Sequence, residues 1–111
     1  MASDLGDGAT TVVPRTHLEA LCAGHFPGDP IVPGAYIAGL LADVSARALG
    51  DGADRPALAE VERCSFLAPL RPDGDATLIA SPPERGPSGI VIDAEVRMGE
   101  QCVARGRFRF V

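Results

Sequence analysis

The chain contains no lysine, and its ten basic residues are all arginine. That absence excludes Schiff-base chemistry on a lysine amine. Tryptophan is also missing, and four phenylalanines with one tyrosine are too few flat side chains for a base-stacking platform. Positive charge is short as well: ten arginines face fifteen acids, for a net charge of −5. Such a balance argues against binding a nucleic-acid phosphate backbone. The three cysteines, Cys22, Cys64 and Cys102, are odd in number, far apart and without a C-x-x-C spacing, so neither a disulfide framework nor a zinc site is expected. No apolar run reaches the length of a bilayer crossing. The opening "MASDLGDGATT" has neither the basic start nor the apolar stretch of a secretory signal, so a cytoplasmic protein without a membrane partner is expected.

What is present fits one folded domain. A length of 111 residues, 46% hydrophobic and 23% charged, supports one real core but not two. Residues 1–8, small and acidic, read as a flexible N-terminus, and residues 9–111 as a single domain. "TTVVP" has the composition of a short strand stopped by Pro14. "THLEALCAGHF" places Leu18, Leu21 and Cys22 at helical spacing. From Phe26 to Gly34, prolines at 27, 30 and 33 fix φ and bias their predecessors away from helix, so an extended, stiff loop is expected. A helix then begins near Pro33 or Gly34 and ends near "LGDG". Ile37, Leu40, Leu41, Val44 and Ala48 make its apolar surface, with Tyr36, Asp43 and Arg47 on a narrow polar stripe.

The second half changes period. "ALAEVERCSFLAPL", "DATLIAS", "GIVIDAEVRM" and "CVARGRFRFV" are β-prone and largely alternating, separated by the turn residues of "RPDGD" and "MGEQ" and by "SPPERGPSG", read as a flexible connection. One long helix against an antiparallel sheet is an α+β architecture.

The stretch "GHFPGDPIVPG", followed by an apolar helix, resembles the (3R)-hydroxyacyl-acyl-carrier-protein dehydratases, a family with the hotdog fold. "VERCSFLAPLRPDGDATLIAS" and the last two strands extend the resemblance over roughly residues 9–111, without the family's usual N-terminal helix and first strand. The missing strand leads to the expectation of an open sheet edge that a second subunit covers. By resemblance, His25 matches the histidine that acts on the C2 proton of a bound 3-hydroxyacyl thioester during elimination of water. Gly34 matches the residue whose backbone N–H polarises the thioester carbonyl, a role that suits the amide end of a helix. Phe26, Pro33, Tyr36 and Gly39 are the expected substrate-contacting positions. The resemblance implies neither a metal nor an organic cofactor. It implies an acyl-carrier-protein or coenzyme A thioester as substrate, in fatty acid or polyketide-type synthesis.

One position departs from that pattern. The family carries a Glu or Asp fourteen residues after the histidine, and this chain has Gly39 there. Asp43 is the nearest alternative acid, about 6 Å further along the helix at roughly 1.5 Å per residue. Loss of a general acid costs about two to four powers of ten in rate. Because family members dimerise, with histidine and acid drawn from different subunits, a homodimer or a heterodimer is expected, and an acid-bearing hotdog partner would complete the site around His25. The alternatives are a catalytically silent acyl-binding or partner subunit, and a hotdog thioesterase. Gly39 itself reads either as a close-packing glycine or as space left for an acyl chain. His17 reads as a surface residue, Tyr36 as either pocket lining or core packing, and Arg105, Arg107 and Arg109 as either a solvated row or a face for an acidic carrier protein.

Overall fold

The computed structural model describes residues 6–50, 52 and 54–111. Two helices and six strands follow one another as β1 (Ala9–Val13), α1 (Arg15–Leu21), α2 (Gly34–Arg47), β2 (Leu58–Phe66), β3 (Ala76–Ala80), β4 (Glu84–Gly86), β5 (Gly89–Met98) and β6 (Gln101–Phe110). The strands form one antiparallel sheet in the order β1-β3-β5-β6-β2, with β4 folded back on β5. Residues 1–5 of the expected tail, and Asp51 at the expected end of α2, lie outside the described residues. Gly8 is already seated on the sheet: its φ is +96°, and a Cβ there would stand 2.4 Å from the Ala80 carbonyl oxygen.

Helix α2 lies across the sheet because its period supplies one inward stripe. Ile37, Leu41, Val44 and Ala48 are buried against Leu78, Ile92, Phe108 and Phe110 from the inward positions of the strands. Buried Ser45 satisfies its hydroxyl by donating to the Leu41 carbonyl oxygen at 2.8 Å, the local bond that lets a hydroxyl sit in an apolar helix face. Gly50, at φ +92°, follows the helix as a C-terminal stop. The short helix α1 is held by fully buried Leu18 and capped from a distance. The Arg15 N–H donates to Asp75 Oδ1 at 2.9 Å, so a residue sixty positions away does the work of a local N-cap.

One detail differs from the sequence expectations. The connection "SPPERGPSG" contains β4, turned onto β5 through Gly89 (φ +142°). β1, expected as a short strand from "TTVVP", pairs with β3 and forms one edge of the sheet. The other edge is β2, which pairs with β6 on one side only and exposes Leu58, Val61 and Phe66.

Candidate active site

The segment joining α1 to α2 is a closed turn rather than an extended loop. The His25 N–H donates to the Cys22 carbonyl (2.8 Å), Asp29 N–H to Phe26 O (3.1 Å) and Ile31 N–H to His25 O (3.0 Å). Reversal is possible because Gly28, at φ +78°, occupies a backbone region that side chains disfavour. Prolines alone argue for extension; the glycine between them allows the chain to double back. Two ties hold the turn to the β2–β3 connection: Val32 N–H donates to Leu70 O at 2.8 Å, and Arg71 Nη1 to Asp29 Oδ1.

Within this turn the His25 ring packs on Phe26, with ring centroids 4.2 Å apart. Its Nδ1 is buried without a hydrogen-bond partner, which leaves Nε2 as the nitrogen available to a substrate. Phe26 itself is exposed. Pro33 ends the turn in an extended conformation (φ −58°, ψ 144°) and starts α2 directly. The Tyr36 and Ile37 N–H groups both turn back to Pro33 O, at 3.0 and 3.2 Å. The Gly34 amide ahead of them has no intrahelical acceptor, as at the first turn of any helix. Its partial positive charge is therefore free for a ligand oxygen. Glycine at 34 also has a packing reason, because a Cβ there would meet the Phe66 ring at 3.2 Å.

Gly39, five residues along α2, is different. It is exposed, and a Cβ built on it meets nothing within 4 Å. Close packing within the chain therefore does not explain it. A mid-helix glycine costs about 1 kcal/mol relative to alanine, and no close contact at that position among the described residues offsets the cost. Asp43 does not replace the missing acid beside His25. It lines a separate cleft of about 120 Å³ against β1 and α1, with Thr11, His17 and Arg47 among its neighbours.

The remaining candidates separate in the same way. Tyr36, expected in the core, is 52% exposed, because it lies on the solvent side of α2. Arg107 and Arg109 are neutralised on the outer sheet face: Arg107 bonds Asp93 and Glu62, and Arg109 bonds Glu60 and Glu62. Only exposed Arg105 of the expected row carries no ion pair among the described residues. Cys22 is a buried core residue whose thiol is pushed up from its ordinary range by burial and by the nearby Glu19 carboxylate, so it stays protonated rather than activating His25. Among the described residues no group of His, Cys, Asp and Glu is arranged to hold a metal ion. No helix among them is long and apolar enough to cross a membrane.

Sequence reasoning missed Phe66. Its "SFLAP" context carried a signal, an aromatic residue at the end of a strand and three positions before Pro69, but only the fold shows that this ring rests on Gly34.

The family model of ApeI-like dehydratases matches residues 9–104. The 3-hydroxyacyl-[acyl-carrier-protein] dehydratase FabZ of Chlamydia trachomatis serovar L2 is 34% identical over 99 residues, which cover 84% of this chain and 65% of the relative. The match thus spans a little under two thirds of that protein's length. Among solved structures, a putative thioesterase related to phenylacetic acid degradation from Ralstonia eutropha superposes with a TM-score of 0.74 at 20% identity, over 100% of this chain and 82% of that one. The dehydratase heterocomplex ApeI:P from Xenorhabdus doucetiae matches with a TM-score of 0.58 at 18% identity, over 93% and 88%. The backbone is a hotdog fold, and with the family model matched over residues 9–104 the chain belongs to the ApeI-like dehydratase family.

Proposed function

We propose that this chain supplies the histidine half of a dehydratase site that eliminates water from a (3R)-3-hydroxyacyl thioester, and that the acid comes from a different hotdog subunit. The observation that carries this reading is the open space at Gly39, set beside a well-built His25 turn and a free Gly34 amide. His25 Nε2 removes a proton from C2. The Gly34 N–H stabilises negative charge developing on the thioester oxygen. The partner's carboxylic acid protonates the hydroxyl on C3, the C3–O bond breaks, and water and a trans-2-enoyl thioester leave. One proton is taken and one given, so no cofactor is consumed. Phe26 and Pro33, at the mouth of the turn, line the approach of the thioester.

The partner has a place to dock, because β2 presents an unpaired edge and exposed apolar side chains, which natural sheets rarely leave open. The structural likeness to a dehydratase described as a heterocomplex supports a partner of unlike sequence. The FabZ relative supports a carrier-protein thioester in fatty acid or polyketide-type synthesis in the cytoplasm, with coenzyme A as the other candidate carrier. The same Gly39 favours a second reading, in which the chain is a silent partner that keeps the fold without the chemistry.

The test is turnover of a 3-hydroxyacyl thioester, read by mass spectrometry, for the chain alone and mixed with an acid-bearing hotdog subunit. Enoyl product that needs the mixture and is abolished by His25→Ala supports the proposal. Product that survives His25→Ala in the mixture assigns this chain the silent role. Free acid instead of enoyl product identifies a thioesterase.

A further inference from the structure

The stretch from Phe66 to Arg71 meets the stretch from Asp29 to Gly34 in the opposite direction and holds it at three points. The Phe66 ring rests on Gly34, the Leu70 carbonyl accepts the Val32 N–H at 2.8 Å, and Arg71 Nη1 donates to Asp29 Oδ1. One frame therefore reaches both parts of the site, the free amide at the helix start and the turn that carries His25. The first two contacts are packing and a backbone bond, and neither depends on charge. The third lies on the surface, with the Arg71 and Asp29 side chains 40% and 63% exposed. An exposed pair contributes little to folding, so global stability does not account for it.

Its place in the turn does. Asp29 is bound twice: its carboxylate takes Arg71, and its own N–H donates to the Phe26 carbonyl at 3.1 Å. Two residues on, the Ile31 N–H donates to the His25 carbonyl at 3.0 Å and closes the backbone around the histidine. The His25 side chain adds no hydrogen-bonded anchor of its own. Its Nδ1 is buried without a partner, so the imidazole lacks the second-nitrogen bond that ordinarily orients a working histidine. The ring's direction is therefore set by the backbone it hangs from and by the Phe26 ring beside it. We infer that Arg71 is a positioning residue, which acts through Asp29 to hold the His25 turn in place relative to the Gly34 amide. Its effect on turnover rests on the dehydratase reading; the clamp itself rests on its own geometry.

The test uses the full chain. Turnover is measured after mixing with an acid-bearing hotdog subunit, on an uncharged 3-hydroxyacyl-pantetheine thioester, and amide exchange is followed on the chain alone. Arg71→Met keeps an apolar stem and removes the charge. Expected is a kcat about two- to fivefold lower, the range open to an exposed pair, with KM unchanged. The Asp29 and Ile31 amides exchange with deuterium faster, while the Val32 amide keeps its protection. Arg71→Lys restores kcat, because one nitrogen meets one oxygen and the guanidinium fork is not needed. Salt at about 1 M, which screens charges beyond roughly 3 Å, lowers wild-type kcat to the level of Arg71→Met and leaves that variant unchanged. Urea midpoints near wild type show that the variants are folded. Unchanged exchange at Asp29 and Ile31, or faster exchange with an unchanged kcat, overturns the proposal. A raised KM at constant kcat gives Arg71 to substrate binding and overturns it as well. Faster exchange at both amides, with no enoyl product from any mixture, upholds the clamp and refutes the dehydratase reading instead.

Discussion

The first turn of α2 and its middle, five residues apart, are built to different standards. At the first turn every element has an internal cause: Pro33 sets the helix start, the Phe66 ring occupies the space a side chain at 34 would need, and the His25 turn is tied to the β2–β3 connection. At Gly39 there is an exposed glycine whose side-chain position meets nothing within 4 Å among the described residues. On the proposed reading, half of the expected chemistry is held by this subunit's own packing, and the other half comes from a partner subunit.

The sharpest way to break that comparison is to remove the equipped half. His25→Ala in the assembled enzyme lowers turnover by about two to four powers of ten. Removal of the partner's acid lowers it comparably, if both groups serve one site; unequal losses in mass-spectrometric assays separate the two ends. Next in size is the amide. Gly34→Pro deletes the N–H at a first-turn position that tolerates proline, after a Pro33 already in the extended conformation. The expected loss in kcat is about two to three powers of ten. Gly34→Ala keeps the amide and asks only that the Phe66 ring shift slightly, so its kcat remains well above that of the proline variant.

A smaller effect sharpens the contrast at the other end. Gly39→Ala stabilises the chain by about 1 kcal/mol in urea denaturation, because a helix interior favours alanine and no neighbour opposes the added methyl. If instead it destabilises, the chain itself uses the glycine. Asp43→Asn leaves turnover unchanged, since Asp43 opens into the cleft with His17 and Arg47. The smallest effect concerns pH. Burial raises the Cys22 thiol above its usual value of 9.0, so the unfolded chain loses that proton first as pH rises. Stability from this group is complete below about pH 9 and declines above it, and Cys22→Ala removes that part of the alkaline slope in denaturation series.

Much of this was legible in the residues. The β5 and β6 alternation put Ile92, Val96, Phe108 and Phe110 on the buried face, because a strand has only two faces and burial selects one. The bounds of α2 followed from Pro33 and Gly50, whose backbone restrictions are local. His25, Gly34 and the vacancy at Gly39 were visible through a resemblance carried by a short, proline-fixed stretch. Other features resisted because their causes lie far along the chain. Asp75 caps α1 from sixty residues away. The arginine row on β6 reads as basic until its partners on β2 and β5 are known. The proline-rich turn reads as extended until its backbone bonds are drawn.

The sequence by itself determined the architecture, the position of the histidine and the lack of a side chain at 39, since periodicity, proline and glycine act through local backbone geometry. Only the tertiary structure decided that Gly39 is open rather than packed, that Asp43 faces another cleft, and that Phe66 rests on Gly34. Each of these is a distance between residues remote in sequence, set by how α2 lies across the sheet.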